Sequence, residues 1–297
     1  MRSFINIHSI QQKPLIAWVF VLVIASRWSQ AADIYYYPKP ESAVDARQSY
    51  PIALLEKCSQ SSNNQWTVAP SQLLMNQGRA LKQVMHGKGV DVVWTATSVA
   101  RESALNPVRI PIDRGLLGWR LLLINQDEQR RFSQIDSISE LKKLSAGQGH
   151  DWPDTQILKA EGFTITTNPN YAPLFPMLRL KHIDYFPRSL AEIQREVNSH
   201  SLDGFTIEKN ILLHYPSALY FFVSYENKLL HDRLTQCLTE MTTSGDLKRL
   251  FYQYYGSDIE NAHLDQRKLF EVPNPLLPPE TPLHNEQLWY KISEPRL

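Results

Sequence analysis

The sequence has only two cysteines in 297 residues, too few for a fold built on disulfides. It has no excess of either charge. Thirty-one basic residues against 30 acidic ones give a formal net of +1, so the balance does not call for a nucleic-acid partner. Past residue 26 there is no apolar run of the roughly 20 residues that a membrane-crossing helix needs. There is no internal repeat and no low-complexity tract. The motifs of covalent and phosphate chemistry are missing as well: no G-x-S-x-G, no phosphate loop, no G-x-G-x-x-G and no H-E-x-x-H. The nine histidines are scattered, none paired at metal-ligand spacing on a helix. No C-x-x-C marks a redox site. No metal or cofactor is therefore expected. Catalysis is disfavoured but not closed off, because distant residues can assemble into a site.

The composition that remains is globular, with 43% hydrophobic, 21% charged and 10% aromatic residues. The length allows one large domain or two ordinary ones. Residues 1–31 read as an address. Arg2 and Lys13 precede the uncharged run 14–26, and Ser29 and Ala31 stand where a cut after Ala31 needs small residues. That order is a secretory signal peptide, and Arg27 in the cleavage region keeps an uncleaved anchor open as the alternative. A cut there removes three positive charges and no acid, taking the net charge from +1 to −2. No cysteine lies near the cut, so no lipid-anchored end is expected. In an oxidising compartment Cys58 and Cys237 can pair; two separate buried thiols are the other reading.

Beyond the leader, strands and helices alternate. Strands are expected at Ile34–Tyr37, Val90–Thr95, Leu116–Ile124, Phe163–Thr167, His182–Phe186 and Tyr220–Val223. Helices are expected over 42–58, where Pro51 marks a break or a late start, and over 71–86, 153–161 and 173–180. Residues 228–254 read as helix broken near Gly245. Ser137 and Glu140, and again Ser189 and Glu192, have capping-box spacing; the first opens a helix that stops by Gly147. Such alternation gives an α/β protein with largely parallel sheets. Prolines at 273, 275, 278, 279, 282 and 295 forbid regular structure at the C-terminus. Leu276, Leu277, Leu288, Trp289 and Tyr290 are too apolar for a free tail, so an extended packed segment is expected.

Residues 88–118 carry the most information. A buried strand, Asp91–Trp94, runs into the polar loop Thr95–Ser98 and then Arg101. Loops at the carboxyl ends of parallel strands are where α/β sheets hold ligands. A guanidinium there offers a planar fork of donors matched to a carboxylate. Arg101 is the first candidate, with Thr97 and Ser98 beside it; its plain alternative is an ion pair with Glu102. Trp94 can stack on a ring or a cation, or simply pack in the core. Tyr37, last on the first strand, is the tyrosine nearest the cleft.

Asp151, Trp152, Asp154 and Thr155 form a second cluster, in a glycine loop that opens a helix. Free N–H groups at a helix start favour anions. Asp151 and Asp154 already occupy that start, so the loop suits a ligand ammonium, unless both are only caps. Arg188 follows the strand at 182–186. It is a second anion-binding candidate, with a surface ion pair as its alternative. Arg79 buttresses the cleft or covers apolar surface with its stem.

Residues 88–118 resemble the amino-acid-type (family 3) bacterial extracellular solute-binding proteins of the type II periplasmic binding fold. Ser98-Val99-Ala100-Arg101 stands at the T-P-E-R position of that family, with Pro and Glu replaced, and Trp94 and Ala96 replace small hydroxyl residues. Gly147–Thr155 resembles the family's G-T/S-T turn, and Lys181–Ser189 its G-R-I-D-A strand. The resemblance implies that Arg101 grips a ligand's α-carboxylate. It implies two lobes, 33–117 plus 219–297 and 118–218, with the Pro-rich tail 271–297 on the first. A two-strand hinge lies near Gly118–Leu122 and Tyr220–Val223. The implied protein is a periplasmic monomer, with no membrane span once the leader is cut. It captures a small polar solute, acidic or amino-acid-like, for ABC-type uptake, with Arg101 and Arg188 matching the solute's charge. Two rivals remain. One is a dehydratase-like enzyme on the same fold, with Asp151, Asp154, Glu102 and His150 as its candidate acids and bases. The other is a ligand-sensing partner of an envelope signalling protein.

Overall fold

The computed structural model of the chain describes residues 32–39, 48–61, 66–199 and 204–294. The expected leader, the cut near Ala31 and the front of the 42–58 helix lie outside them. Among the described residues no helix is long and apolar enough to cross a membrane.

The chain opens with β1 (Asp33–Lys39), α1 (Ser49–Ser61), β2 (Trp66–Leu74), α2 (Gln77–Met85), β3 (Val92–Ala96), α3 (Val99–Ala104) and β4 (Asn106–Val108). Next come β5 (Trp119–Asn125), α4 (Gln129–Phe132), α5 (Ile138–Lys143), β6 (Ser145–Gly149), α6 (Pro153–Ala160), β7 (Thr164–Asn168), α7 (Leu174–Arg179), β8 (Phe186–Ser189), α8 (Leu190–Ser199), β9 (Phe205–Ile207) and β10 (Ile211–His214). β11 (Leu219–Val223), α9 (Lys228–Ser244), α10 (Asp246–Asn261) and β12 (Lys268–Glu271) complete the order.

The strands fall into two groups. β1 pairs parallel with β2, and β11 runs between β3 and β4, antiparallel to both. These are tied where Asp91 N donates to Tyr36 O at 2.7 Å. In the second group β5 is central, antiparallel to β10, β8 and β9; β12 adds parallel to β10. β6 pairs parallel with β7 and is bridged to Tyr185, just before β8. The sheets are thus more mixed than the alternation of elements suggests. The reason is local: β5 and β11, the strands that carry the chain between the groups, both run against their neighbours.

Most boundaries follow from caps. Helix α1 starts late, with Pro51 in its first turn, where a missing N–H costs nothing. Ser137 and Glu140 form the expected capping box. Gly245, with φ +79°, separates α9 from α10. Cys58 on α1 and Cys237 on α9 are joined by a disulfide with Cα atoms 5.6 Å apart.

Two expectations fail for identifiable reasons. Residues 66–74 are strand rather than helix. Asn76 accepts from Arg79 N at 3.0 Å and delays the helix to Gln77, so Leu74 belongs to β2, where it is exposed. The helix opened by Ser137 ends at Lys143, before Gly147, which lies inside β6, where a Cβ would stand 2.3 Å from the Ile183 side chain. The strand expected at 182–186 begins only at Phe186. Ser189 both closes β8 and, as expected, caps the helix that follows, α8, its hydroxyl accepting from Ala191 N at 3.2 Å.

The C-terminal segment packs as its leucines and aromatics demand, but it also enters a sheet. β12, expected with the first lobe, pairs with β10. The chain then returns: Val99 N donates to Leu276 O at 3.1 Å, and Tyr290 N to Arg114 O at 2.6 Å. Leu288 and Tyr290 are buried, and Trp289 lies against Gly115.

Candidate functional site

The two groups of strands meet at the end of β3, the start of α2, the turn before α6, and the near ends of β5 and β8. They enclose a cavity of about 140 Å³, whose walls include Gln77, Trp94, Thr95, Trp152, Arg120 and Asp154. A larger cavity, about 470 Å³, lies beside α8 and α10, away from the loops singled out by the sequence. Among the described residues no cluster of three His, Cys, Asp or Glu side chains is placed to hold a metal.

Arg101 sits on α3, whose start is capped by Ser98: its hydroxyl accepts from Arg101 N at 3.2 Å. The guanidinium turns back onto the end of β3. Nη1 donates to Thr95 Oγ1 at 2.5 Å and Ala96 O at 2.9 Å; Nη2 donates to Gln77 Oε1 at 2.9 Å and Asp151 O at 3.3 Å. Every one of these acceptors is neutral. The acid beside it in sequence is engaged elsewhere: Glu102 accepts from Thr97 Oγ1 at 2.5 Å and pairs with Arg109. Arg101 is thus a half-buried charge without an ion pair among the described residues. Burial pulls its pKa down to about 10, against the opposing pull of Asp151 and Asp154. It stays charged at neutral pH. A half-buried cation with only neutral partners leaves much of its attraction for an anion unused.

Asp151 crosses the cleft. Its carbonyl meets Arg101, and its carboxylate accepts from Gly78 N at 3.1 Å at the start of α2. Gly78 lacks the side chain that would collide there; a Cβ would stand 2.7 Å from Asp151 Oδ2. Asp154, in the first turn of α6, pairs through Oδ1 with Arg120 Nη2 at 2.5 Å, and Tyr215 OH donates to the same oxygen. Thr155 bonds Gly149 O at 2.6 Å and fastens the turn. Trp152 stacks near Phe186, with Arg188 4.9 Å from its ring.

Arg188 departs from the sequence reading. It lines the cavity, but its charge is matched by Glu196, 2.7 Å from Nη2, and by Glu192 at 2.8 Å. The joint between β8 and α8 brings those two acids back over it, so it is not open to an anionic ligand. Tyr37 is buried against Trp94, ring centroids 6.0 Å apart, instead of reaching the cavity. Trp94 does reach it, and also packs on Phe221 at 6.2 Å. Thr97 and Ser98 act on the backbone and on Glu102. Arg79 lines a separate surface depression with Tyr36 and Leu73.

Three cavity residues escaped the sequence reading: Gln77, Arg120 and Asp113. Arg120 left a visible trace, a lone charge inside the apolar stretch Leu116–Ile124. Asp113 holds the turn before β5, accepting from Leu117 N at 2.7 Å and Gly115 N at 3.1 Å. Burial pushes its carboxyl up to about 7, against those backbone bonds and Arg120. Tyr50 and Tyr255 stand near enough to feel its charge. A carboxyl harder to ionise in the fold than in the unfolded chain adds stability below about pH 4, and that stability is lost as the pH rises to about 7. Urea unfolding from pH 4 to 8 should therefore show a downward contribution of up to about 4 kcal/mol that Asp113→Asn abolishes. Parallel pH profiles for the two proteins would remove Asp113 as its source.

No family model and no curated protein matches the chain. Solved structures do match in fold. An ancestral arginine-binding protein bound to arginine aligns at TM-score 0.59 and 14% identity, over 76% of this chain and 100% of the other. A periplasmic His/Glu/Gln/Arg/opine family-binding protein from Silicibacter pomeroyi, in complex with lysine, aligns at 0.57 and 8%, over 76% and 98%. A histidine kinase sensor domain with similarity to periplasmic binding proteins aligns at 0.57 and 12%, over 76% and 97%. The chain has the two-lobed type II periplasmic-binding-protein fold.

Proposed function

We propose that the chain is an exported binding protein that captures a compact amino-acid-like solute between its two lobes for ABC-type uptake. The observation that carries this reading is Arg101: a half-buried guanidinium at the junction of the two groups of strands, bonded only to neutral acceptors. A ligand carboxylate displaces the Asp151 carbonyl, its longest contact, and forms a charge-assisted bond in its place. Release of Asp151 frees a contact across the cleft, so capture and hinge motion are coupled. Asp113, on the cavity wall, is a carboxyl whose ionised form a ligand ammonium would favour. No covalent step is required. With Arg188 neutralised by Glu192 and Glu196, nothing at that position calls for a second anion, and the acidic solute suggested by the sequence gives way to a zwitterion.

The structures similar in fold are amino-acid-binding proteins by their descriptions, which supports the reading without naming the solute. The similarity to a kinase sensor domain favours sensing for an envelope partner as the second reading. Uptake of labelled solute by cells lacking the protein separates the two, since loss of uptake belongs only to the transport role. The first test is a thermal-shift screen over amino acids, peptides, polyamines and organic acids. A true ligand at 100 times its Kd should add roughly 2.7 kcal/mol to the folded state. Stabilisation by polyamines alone would overturn the proposal.

A further inference from the structure

We infer that Arg120 and Asp154 form a specificity pocket for a side-chain carboxamide on the captured amino acid. This rests on the reading of the cleft as an amino-acid site. Both residues line the cavity wall, and both are almost wholly buried. Arg120 lies on β5, the strand that carries the chain into the second group, and its ring neighbour is Tyr215, 5.4 Å from the guanidinium carbon. Its contact with Asp154 is an ion pair by distance, 2.5 Å. Yet Arg120 Nε, beside that ion pair, has no hydrogen-bond acceptor among the described residues. A buried donor left so costs free energy that the fold does not recover by itself.

Asp154 is unevenly used. Arg120 and Tyr215 both approach Oδ1, and Oδ2 carries neither contact. The pair therefore presents donors from a guanidinium beside an open carboxylate oxygen. A primary amide is the group that answers both: its carbonyl accepts from Arg120, and its NH₂ donates to Asp154. A ligand carboxylate would satisfy Arg120 but face Asp154 as a like charge. An aliphatic side chain would leave both groups unpaired. The cavity, about 140 Å³, is close to the size that accommodates one benzene ring, roughly 150 Å³, so the side chain is short.

The test uses the full chain and calorimetry with L-asparagine, L-aspartate and L-leucine, three side chains of one branching pattern. Sites that hydrogen-bond a polar group reject analogues lacking it by large factors. L-Asparagine is expected to bind at least about 100-fold tighter than L-leucine, and at least about tenfold tighter than L-aspartate. In Arg120→Lys, which keeps the charge and loses the planar fork, the asparagine-to-leucine ratio should fall at least tenfold. The ligand series on the unmodified protein stands even if that variant does not fold. Equal binding of asparagine and leucine, or tighter aspartate, overturns this inference and leaves the amino-acid site standing. Failure of every amino acid to bind overturns the site, and the inference with it.

Discussion

Replacing Arg101 with alanine is expected to weaken solute binding at least about 30-fold while leaving the protein folded. The two effects separate because the side chain meets protein and ligand on different terms. Within the protein it donates to Thr95, Ala96, Gln77 and Asp151, all through neutral oxygens. Each such bond contributes about 1 kcal/mol net, and the half-buried charge itself carries a desolvation cost that the alanine variant no longer bears. The fold therefore loses little. A ligand carboxylate has no substitute for the guanidinium, and truncating one member of a buried charged pair costs roughly 2–5 kcal/mol, or about 30- to 4,000-fold in affinity. Calorimetry with the best ligand, beside a melting curve, reads both quantities. An unchanged Kd would end the assignment; a collapsed melting curve would show instead that Arg101 is structural.

Removing the disulfide should produce the largest loss of stability. Cys58 and Cys237 are separated by 179 residues, and closing so long a loop constrains the unfolded chain strongly, for about 2–5 kcal/mol. The bridge ties α1 to α9, and both sulfurs are buried with Leu54, Leu55, Leu234 and Leu238. The Cys58→Ser/Cys237→Ser protein should melt roughly 5–15 °C lower, at about 2–4 °C per kcal/mol for a chain of this size. Reduction of the wild type under denaturing conditions, followed by alkylation and refolding, should give the same deficit. A melting temperature within a degree of the wild type would show that the bridge adds nothing.

The parts of this fold that were legible in the sequence are those set by local physics. The β-branched run before Thr95 announces β3, Ser137 and Glu140 announce a helix start, and Gly245 announces a helix stop. The place of Arg101 just past β3 follows from the sequence, where a charge stands after a buried strand. Misreadings arose where a local signal had a long-range competitor. Leu74 and Leu81 share helical spacing, but residues 66–74 extend because β1 is there to pair with them. Ser189 caps α8 as its spacing with Glu192 suggests, while that glutamate also pairs with Arg188. Arg188 shows the same limit. Its acids lie four and eight residues ahead, and only the turn from strand to helix brings both onto it. Arg120 was visible as a lone charge in an apolar strand; its partner Asp154 lies 34 positions away, and spacing alone does not pair them.

The most direct test of solute capture at Arg101 is a crystal structure of the protein with the tightest ligand from the thermal-shift screen. The ligand should lie between the end of β3 and the turn before α6. One of its carboxylate oxygens should stand within about 3 Å of the Arg101 guanidinium, with the Asp151 carbonyl moved off it. A ligand seated elsewhere, with Asp151 still bonded to Arg101, would contradict the account.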